Sequence, residues 1–75
     1  MRISNRELEV LELISMAFST IEIGQKLFIS AETAKTHRKN LLLKLGTKNS
    51  AGLVRVGFEL GYLSVSPSHR LELAS

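Results

Sequence analysis

One predicted helix carries a polar and basic face, and this face is the feature of the chain most able to bind a partner. At about 100° per residue, a helix that begins after Ser30 turns one set of polar side chains outward, namely Lys35, Thr36, Lys39 and Asn40. Its opposite side takes Ala34, His37, Arg38, Leu41 and Leu45. Ammonium and hydroxyl groups on an outward face can neutralise and hydrogen-bond an anionic surface.

The composition offers little for catalysis or metal binding. The chain has no cysteine and no aspartate, and it has two histidines. Disulfide frameworks, thiol catalysis, Cys-based zinc fingers and Asp-containing triads are therefore excluded. Scattered Glu residues without a Gly-rich loop or a nucleophile form no catalytic constellation. We expect a protein that is not an enzyme and that binds no cofactor or metal.

Length and charge point to one small domain with an uneven surface. Seventy-five residues with 44% hydrophobic content allow a single domain, and the net charge is +3. Residues 26–55 contain seven Lys and Arg against one Glu, a net charge of +6, so the remainder carries −3. Glu7, Glu9 and Glu12 supply much of that negative charge and predict an acidic face on the first helix. The basic segment is typical of DNA binding, although a merely solvated face is the alternative.

Membrane association is disfavoured. No run of about 18 apolar residues is present, and the apolar side of the third helix is needed for a core. We expect a cytoplasmic protein.

Start and stop signals predict four helices. Ser4 and Glu7 form a capping box for the first, which should end near residues 15–16. Its predicted apolar stripe is Leu8, Leu11, Ile14 and Phe18. The second helix begins at residues 19–20, and Ser30 caps the third, which Gly46 ends. Ser50 is the predicted cap of the fourth, which should end at Gly61.

Helices 2 and 3 flank a three-residue turn and make a helix-turn-helix within a domain of residues 1–63. Residues 64–75 should form a loosely ordered tail.

Many spaced positions carry a family resemblance. They are Leu8 to Leu11, Ile21 to Gly24, Leu27 to Ser30, Thr33 to His37, Asn40, Leu41 and Lys44 to Gly46. Over roughly residues 3–63 the chain resembles the LuxR/GerE-type helix-turn-helix, the DNA-binding domain of NarL- and FixJ-like response regulators. The resemblance implies an all-α four-helix domain of a cytoplasmic bacterial transcription regulator. It also implies binding of double-stranded DNA, commonly as a dimer, with helix 3 in the major groove.

The resemblance assigns roles by position. Lys35, Thr36 and Lys39 match base-reading positions, and Lys and Thr can meet guanine acceptors and thymine methyl groups respectively. The implied phosphate contacts are Ser30, Thr33, His37, Arg38, Lys44 and Lys48. Two of these stay open, because Ser30 could serve only as a helix cap and His37 could be a partly buried structural residue.

Three departures from the family pattern bear on these roles. Gly24 stands where Ala is usual, and Ala34 stands where a larger aliphatic residue is usual. The contact between helices 2 and 3 should therefore be closer or looser than in other members. Ser50 replaces an arginine that many members carry, so phosphate affinity should be lower.

Helix 4 has more apolar surface than one face can use. Leu53, Val56, Gly57 and Leu60 form one face, and Ala51, Val54 and Phe58 form an adjoining one. Helix 4 is the usual dimer contact in the family, so we expect a homodimer interface at Val54 and Phe58. Alternatively, both faces are buried within the monomer under the Leu71 and Leu73 segment.

Other functions compete with sequence-specific DNA binding. The fold could serve as a protein-interaction module, an anti-activator or adaptor whose helices 1 and 4 bind a regulator or RNA polymerase subunit. A promoter module of the sigma-factor type shares the helix-turn-helix geometry. The chain contains no receiver portion, and two alternatives stay open: a stand-alone small regulator, which the opening Met1 weakly favours, and an effector domain of a longer protein.

Overall fold

The computed structural model describes residues 2–65, which form four α-helices and, within that range, no strand. The helices are α1 (Asn5–Ser15), α2 (Thr20–Leu27), α3 (Ala31–Leu45) and α4 (Ser50–Glu59). The predicted all-α, four-helix class is confirmed. Most of the predicted tail, residues 66–75, lies outside the described residues.

Serine side chains cap the first three helices, and those of Ser4 and Ser30 do so as predicted. The Ser4 hydroxyl accepts from the Glu7 amide at 3.0 Å, and the Ser19 hydroxyl accepts from the Glu22 amide at 3.2 Å. Ser30 accepts from the Thr33 amide at 3.0 Å. These bonds satisfy amide donors that have no partner within their own helix.

The predicted cap of α4 is wrong by one residue. Asn49 is the cap, and its Oδ1 accepts from the Gly52 amide at 2.9 Å. Asn49 has the extended backbone that a cap requires (φ −154°), whereas Ser50 is already helical. Ser50 instead accepts a hydrogen bond from α3, described below.

The core lies where the four helices meet, and α3 contacts each of the other three. Its buried hydrophobic residues are Val10, Leu11, Ile14, Ile23, Ala34, Leu41, Leu53 and Leu63. The predicted stripe of α1 is therefore partly wrong. Val10 takes an inner position that the periodicity assigns to Leu8, which is only half-buried. Phe18 packs against the core from beyond the end of the helix.

Glu7 also departs from its predicted place. It is 4% exposed, so the predicted acidic surface of α1 retains Glu9 and Glu12 but not Glu7. The third position of a capping box turns its carboxylate toward the helix start, and here that start is covered by the end of α3.

The helix α4 ends two residues before its predicted end, and the chain reverses at Gly61. The helix ends at Glu59, and Gly61 adopts a left-handed conformation (φ +82°) that glycine tolerates. Leu63 then folds back over Gly57, where a Cβ added to the glycine would approach Leu63 Cδ1 to 2.7 Å. Leu60, which periodicity assigns to the same face as Leu53 and Gly57, is 60% exposed because the helix stops before it.

Gly24 brings α2 unusually near the turn that precedes α3. It is buried, and a Cβ at this position would lie 2.8 Å from the Ile29 carbonyl oxygen and 3.3 Å from the Ala31 nitrogen. Both atoms belong to the backbone and cannot move aside as a side chain does. Gly24 therefore allows a close approach of α2 to this turn that an alanine would hinder.

Candidate nucleic-acid interface

One side of α3 is polar and open to solvent. Its exposed residues, named here the outer face, are Glu32, Lys35, Thr36, Lys39 and Leu43. The opposite side contributes Ala34 and Leu41 to the core, both 0% exposed. Because burial of these two residues fixes the rotation of the helix, the structure exposes Lys35, Thr36 and Lys39 together, as their spacing predicted, whereas Asn40 from the same predicted set is half-buried.

The polar groups of the outer face make only weak interactions within the protein. Lys35 Nζ lies 3.4 Å from Glu32 Oε1, with side chains 59% and 86% exposed respectively. Such surface pairs contribute little to stability, so Lys35 is free to exchange this partner for another anion. The Thr36 hydroxyl donates to the Glu32 carbonyl at 3.0 Å and keeps its lone pairs for an external donor.

Two hydroxyl groups are coupled at the start of α3. Ser30 Oγ caps the helix and also donates to Thr33 Oγ1 at 2.9 Å. This leaves the Thr33 hydroxyl hydrogen able to reach an acceptor outside the protein. Both residues are exposed beside the amino-terminal end of the helix, where the backbone amides favour negative charge. Of the two, Thr33 is the better placed to donate to a phosphate.

Arg38 links α3 to the beginning of α4. Its Nε donates to Ser50 Oγ at 3.2 Å, and both residues are half-buried. His37 is half-buried as well, while Lys48 is exposed in the connection between the two helices. The structure thus brings Arg38 and Lys48 to the same end of the domain, at the junction of α3 with α4.

Lys44 has a partner within the protein. Its Nζ lies 2.8 Å from Glu7 Oε1 and 3.4 Å from the Arg2 carbonyl oxygen, and its side chain is 27% exposed. The sequence did not reveal this pairing, because the two residues are 37 positions apart and belong to different helices. A phosphate contact by Lys44 stays a prediction, and such a contact would have to share or displace Glu7.

The environment of Glu7 favours its charged form. Burial alone would raise the pKa of this carboxyl, but hydrogen bonds from Lys44 and from the Ser4 amide, with the Lys44 charge, outweigh it. The net effect is a pKa below the ordinary value for glutamate. The pair is therefore an ionised link between the first turn of α1 and the last turn of α3.

The two residues predicted for a dimer contact differ in exposure. Phe58 is 41% exposed, whereas Val54 is half-buried and packs against the core. No helix within residues 2–65 is both long and apolar enough to cross a membrane. In the same part of the chain, no three potential ligands of the His or Glu type are close enough together to hold a metal ion.

Comparison with known proteins places this geometry in a family. Residues 1–56 match the model of the family described as bacterial regulatory proteins, luxR family. The chain belongs to the luxR family. Members of this family are transcription regulators that bind DNA through a helix-turn-helix. The family is not a class of enzymes.

Two relatives show how much of a luxR-family protein the chain represents. It is 46% identical over 59 residues to the transcriptional regulatory protein MctR of Rhizobium johnstonii, covering 79% of this chain and 28% of that protein. It is 42% identical over 52 residues to the oxygen regulatory protein NreC of Staphylococcus aureus, covering 69% and 24% respectively. The chain therefore spans about a quarter of the length of these luxR-family relatives.

Proposed function

We propose that this domain binds double-stranded DNA with α3 in the major groove and with Lys35, Thr36 and Lys39 at the base edges. The observation that carries the proposal is the outer face itself. Three side chains able to meet base edges are exposed together on a helix whose other side is locked into the core. The lysines supply donors for guanine O6 and N7, and Thr36 supplies a hydroxyl and a methyl group.

Contacts to phosphate would set the affinity and the register of the domain on DNA. The residues proposed for this role are Ser30 and Thr33 at the start of α3, His37, Arg38 and Lys44 along it, and Lys48 just beyond its end. Thr33 has a free hydroxyl hydrogen, and Lys48 is an exposed cation. Neutralising phosphates releases counterions, so binding should weaken steeply with salt.

The experiment that tests DNA binding is fluorescence anisotropy with a mixed-sequence duplex across a salt series. We compare the wild type with the Lys35→Ala/Lys39→Ala variant, and we use Arg2→Ala/Arg6→Ala as a control that removes the same charge from the start of the chain. Each phosphate neutralised adds about −0.9 to the slope of log K against log salt. The lysine variant should lose most of the affinity, and the control should retain it.

The opposite result has a definite meaning. If the wild type does not bind duplex DNA at low salt while remaining folded, α3 is not a reading helix in this protein. The chain would then act as a protein-interaction module, and contacts with a regulator or with RNA polymerase through α1 and α4 would be the next subject of study.

We further propose that the domain forms a homodimer through α4. Phe58 is a large apolar side chain that is 41% exposed, and Val54 lies one turn before it. A two-fold axis at this surface would pair the same residues from both copies. Sedimentation equilibrium should give a lower mass for Phe58→Glu than for the wild type, with Met16→Glu as a control at another exposed apolar residue. An unchanged mass in a folded Phe58→Glu variant would refute the dimer.

The biological role follows from these two activities. The names of the relatives describe a transcriptional regulatory protein and an oxygen regulatory protein. Residues 1–63 would be the DNA-binding unit of such a cytoplasmic regulator, positioning it at particular promoters.

A further inference from the structure

The outer face of α3 includes one residue that does not fit an electrostatic surface. Leu43 is 71% exposed, although its neighbours on this face are charged or hydroxylic. In a helix with about 100° per residue, Lys39, Leu43 and Thr36 lie about 40°, 80° and 100° from Lys35. Leu43 therefore falls between Lys39 and Thr36 in direction and belongs to the same stripe.

The exposure of Leu43 is imposed by the packing of its neighbours. Leu41 is 0% exposed in the core, and Leu42 is half-buried against it. Lys44, the next residue, is held by Glu7. With these three positions set, the last turns of α3 cannot rotate to bury Leu43, so an aliphatic side chain stays on the outer face.

The position of Leu43 along the helix matches the spacing of base pairs. At 1.5 Å per residue, Leu43 lies about 6 Å beyond Lys39 along the helix axis. Successive nucleotides of one strand are about 3.4 Å apart, so this step corresponds to about two base pairs. A helix that places Lys39 at a base edge directs Leu43 toward the next part of the same groove.

Leucine can recognise only one kind of group in that groove. It has no hydrogen-bond donor or acceptor, and phosphates and most base edges offer it only polar atoms. The exception is the thymine 5-methyl group, which is apolar and projects into the major groove. Contact between the two removes apolar surface of both from water, which is favourable.

We propose that Leu43 is a specificity-determining residue that selects thymine about two base pairs beyond the position contacted by Lys39. The inference rests on the proposed binding of α3 in the major groove and deepens it. It adds an apolar reading position to the three polar ones and predicts a thymine at the edge of each half-site.

The test begins with selection from a random duplex library, using the wild type, Leu43→Ala and the control Leu60→Ala. Leu60 is an exposed leucine just beyond α4, so its variant matches the size of the change at a different surface. The wild type and the control should enrich thymine at one outer position of the site. Leu43→Ala should lose the preference at that position and keep the others. Circular dichroism checks that both variants remain folded.

The second step removes only the methyl group from the DNA. Deoxyuridine replaces thymidine at the outer position of the selected site, which preserves base pairing and every hydrogen-bonding atom. Affinity of the wild type should fall about fourfold, the factor for one buried methyl group. Leu43→Ala should bind the two duplexes equally.

Two outcomes would overturn the inference, and they differ from each other. If the wild type enriches a site but Leu43→Ala selects the same thymine, or if deoxyuridine weakens both proteins equally, Leu43 does not read the methyl group while DNA reading by α3 stands. If no protein enriches any sequence, the proposed function fails and the role of Leu43 fails with it.

Discussion

The same four-residue motif begins α1 and α2, yet the two copies do different work. Ser4 and Glu7 bond reciprocally at 3.0 and 2.7 Å, and Ser19 and Glu22 do so at 3.2 and 2.9 Å. Glu7 is buried and paired with Lys44, whereas Glu22 is exposed. An identical local structure thus acts as a simple helix cap in one place and as a tertiary link in the other.

The difference matters for the candidate interface. The link joins the first turn of α1 to the last turn of α3, the helix whose outer face is proposed to read DNA. A buried ion pair is a poor source of net stability, but it defines geometry, since removing either partner leaves the other without its counter-charge. We expect the pair of Glu7 and Lys44 to hold the carboxyl end of α3. The capping box of Ser19 and Glu22 should stabilise only α2.

The largest effect should come from Glu7→Ala. This change removes the carboxylate that accepts from the Ser4 amide and leaves the partly buried Lys44 ammonium without its partner, so the free energy of unfolding should fall by about 2–3 kcal/mol. Urea denaturation at neutral pH measures this. The matched variant Glu22→Ala removes the same side chain from the exposed box and should destabilise the domain clearly less. Equal losses would mean that the link to Lys44 contributes nothing.

Lys44→Met should have the next largest effect. Methionine retains most of the apolar stem but leaves the Glu7 carboxylate buried without its cation, which should cost about 1–2 kcal/mol at neutral pH. The pKa of Glu7, followed by NMR titration, should rise because burial is then less compensated. A Glu7 pKa that stays low in this variant would show that the capping bonds from Ser4 suffice.

Removal of the capping hydroxyls should have smaller effects of similar size at the two sites. Ser4→Ala and Ser19→Ala each delete one side-chain acceptor at a helix start, and each should cost about 1 kcal/mol. Thermal and urea unfolding of the two variants test whether the serine hydroxyl contributes equally to stability in the two capping boxes. A much larger loss for Ser4→Ala would place part of the tertiary link in the hydroxyl itself.

The smallest effect should be the pH dependence of stability that arises from the exposed capping box of Ser19 and Glu22. The pKa of Glu22 is lowered chiefly by the hydrogen bond from the Ser19 amide, and the pKa of Glu7 is lowered as well. A lowered folded-state pKa gives stability that is present above the unfolded value, about 4.3, and is lost as the pH falls through the folded value. Urea unfolding between neutral pH and about pH 3 should show this loss.

Variants separate the two carboxyls in that experiment. Part of the stability that the wild type loses on acidification should no longer be lost in Glu7→Gln. Glu22→Gln should remove a smaller part of that loss, because the carboxylate of Glu22 is exposed. If Glu22→Gln reduced the pH dependence of stability more than Glu7→Gln did, the buried Glu7 would not be the carboxyl more strongly linked to folding.

Prediction from the sequence succeeded where partners are close in the chain. The Ser4 and Ser30 caps each bond an amide three residues on, and the αL conformation of Gly46 ends α3 as its type suggested. Prediction failed at Ser50, because the neighbouring Asn49 has a similar capping propensity and takes the role. It also failed at Glu7, because helical periodicity treats every glutamate as a surface residue.

The candidate site divides in the same way. Exposure of Lys35, Thr36 and Lys39 followed from angle alone, since the apolar residues of α3 leave a single direction for the core. The hydrogen bond from Arg38 to Ser50 did not follow, because it joins two helices through an interhelical distance that the sequence does not contain.

By itself, the sequence determined the four helices, the Ser4 and Ser30 caps and the side of α3 that faces solvent, because helix periodicity and capping depend on residues within one or two turns of each other. Only the tertiary structure decided that Glu7 would pair with Lys44 and that Gly24 would meet the Ile29 carbonyl. These outcomes depend on how closely and at what angle the helices pack, which is set by all of their buried side chains together.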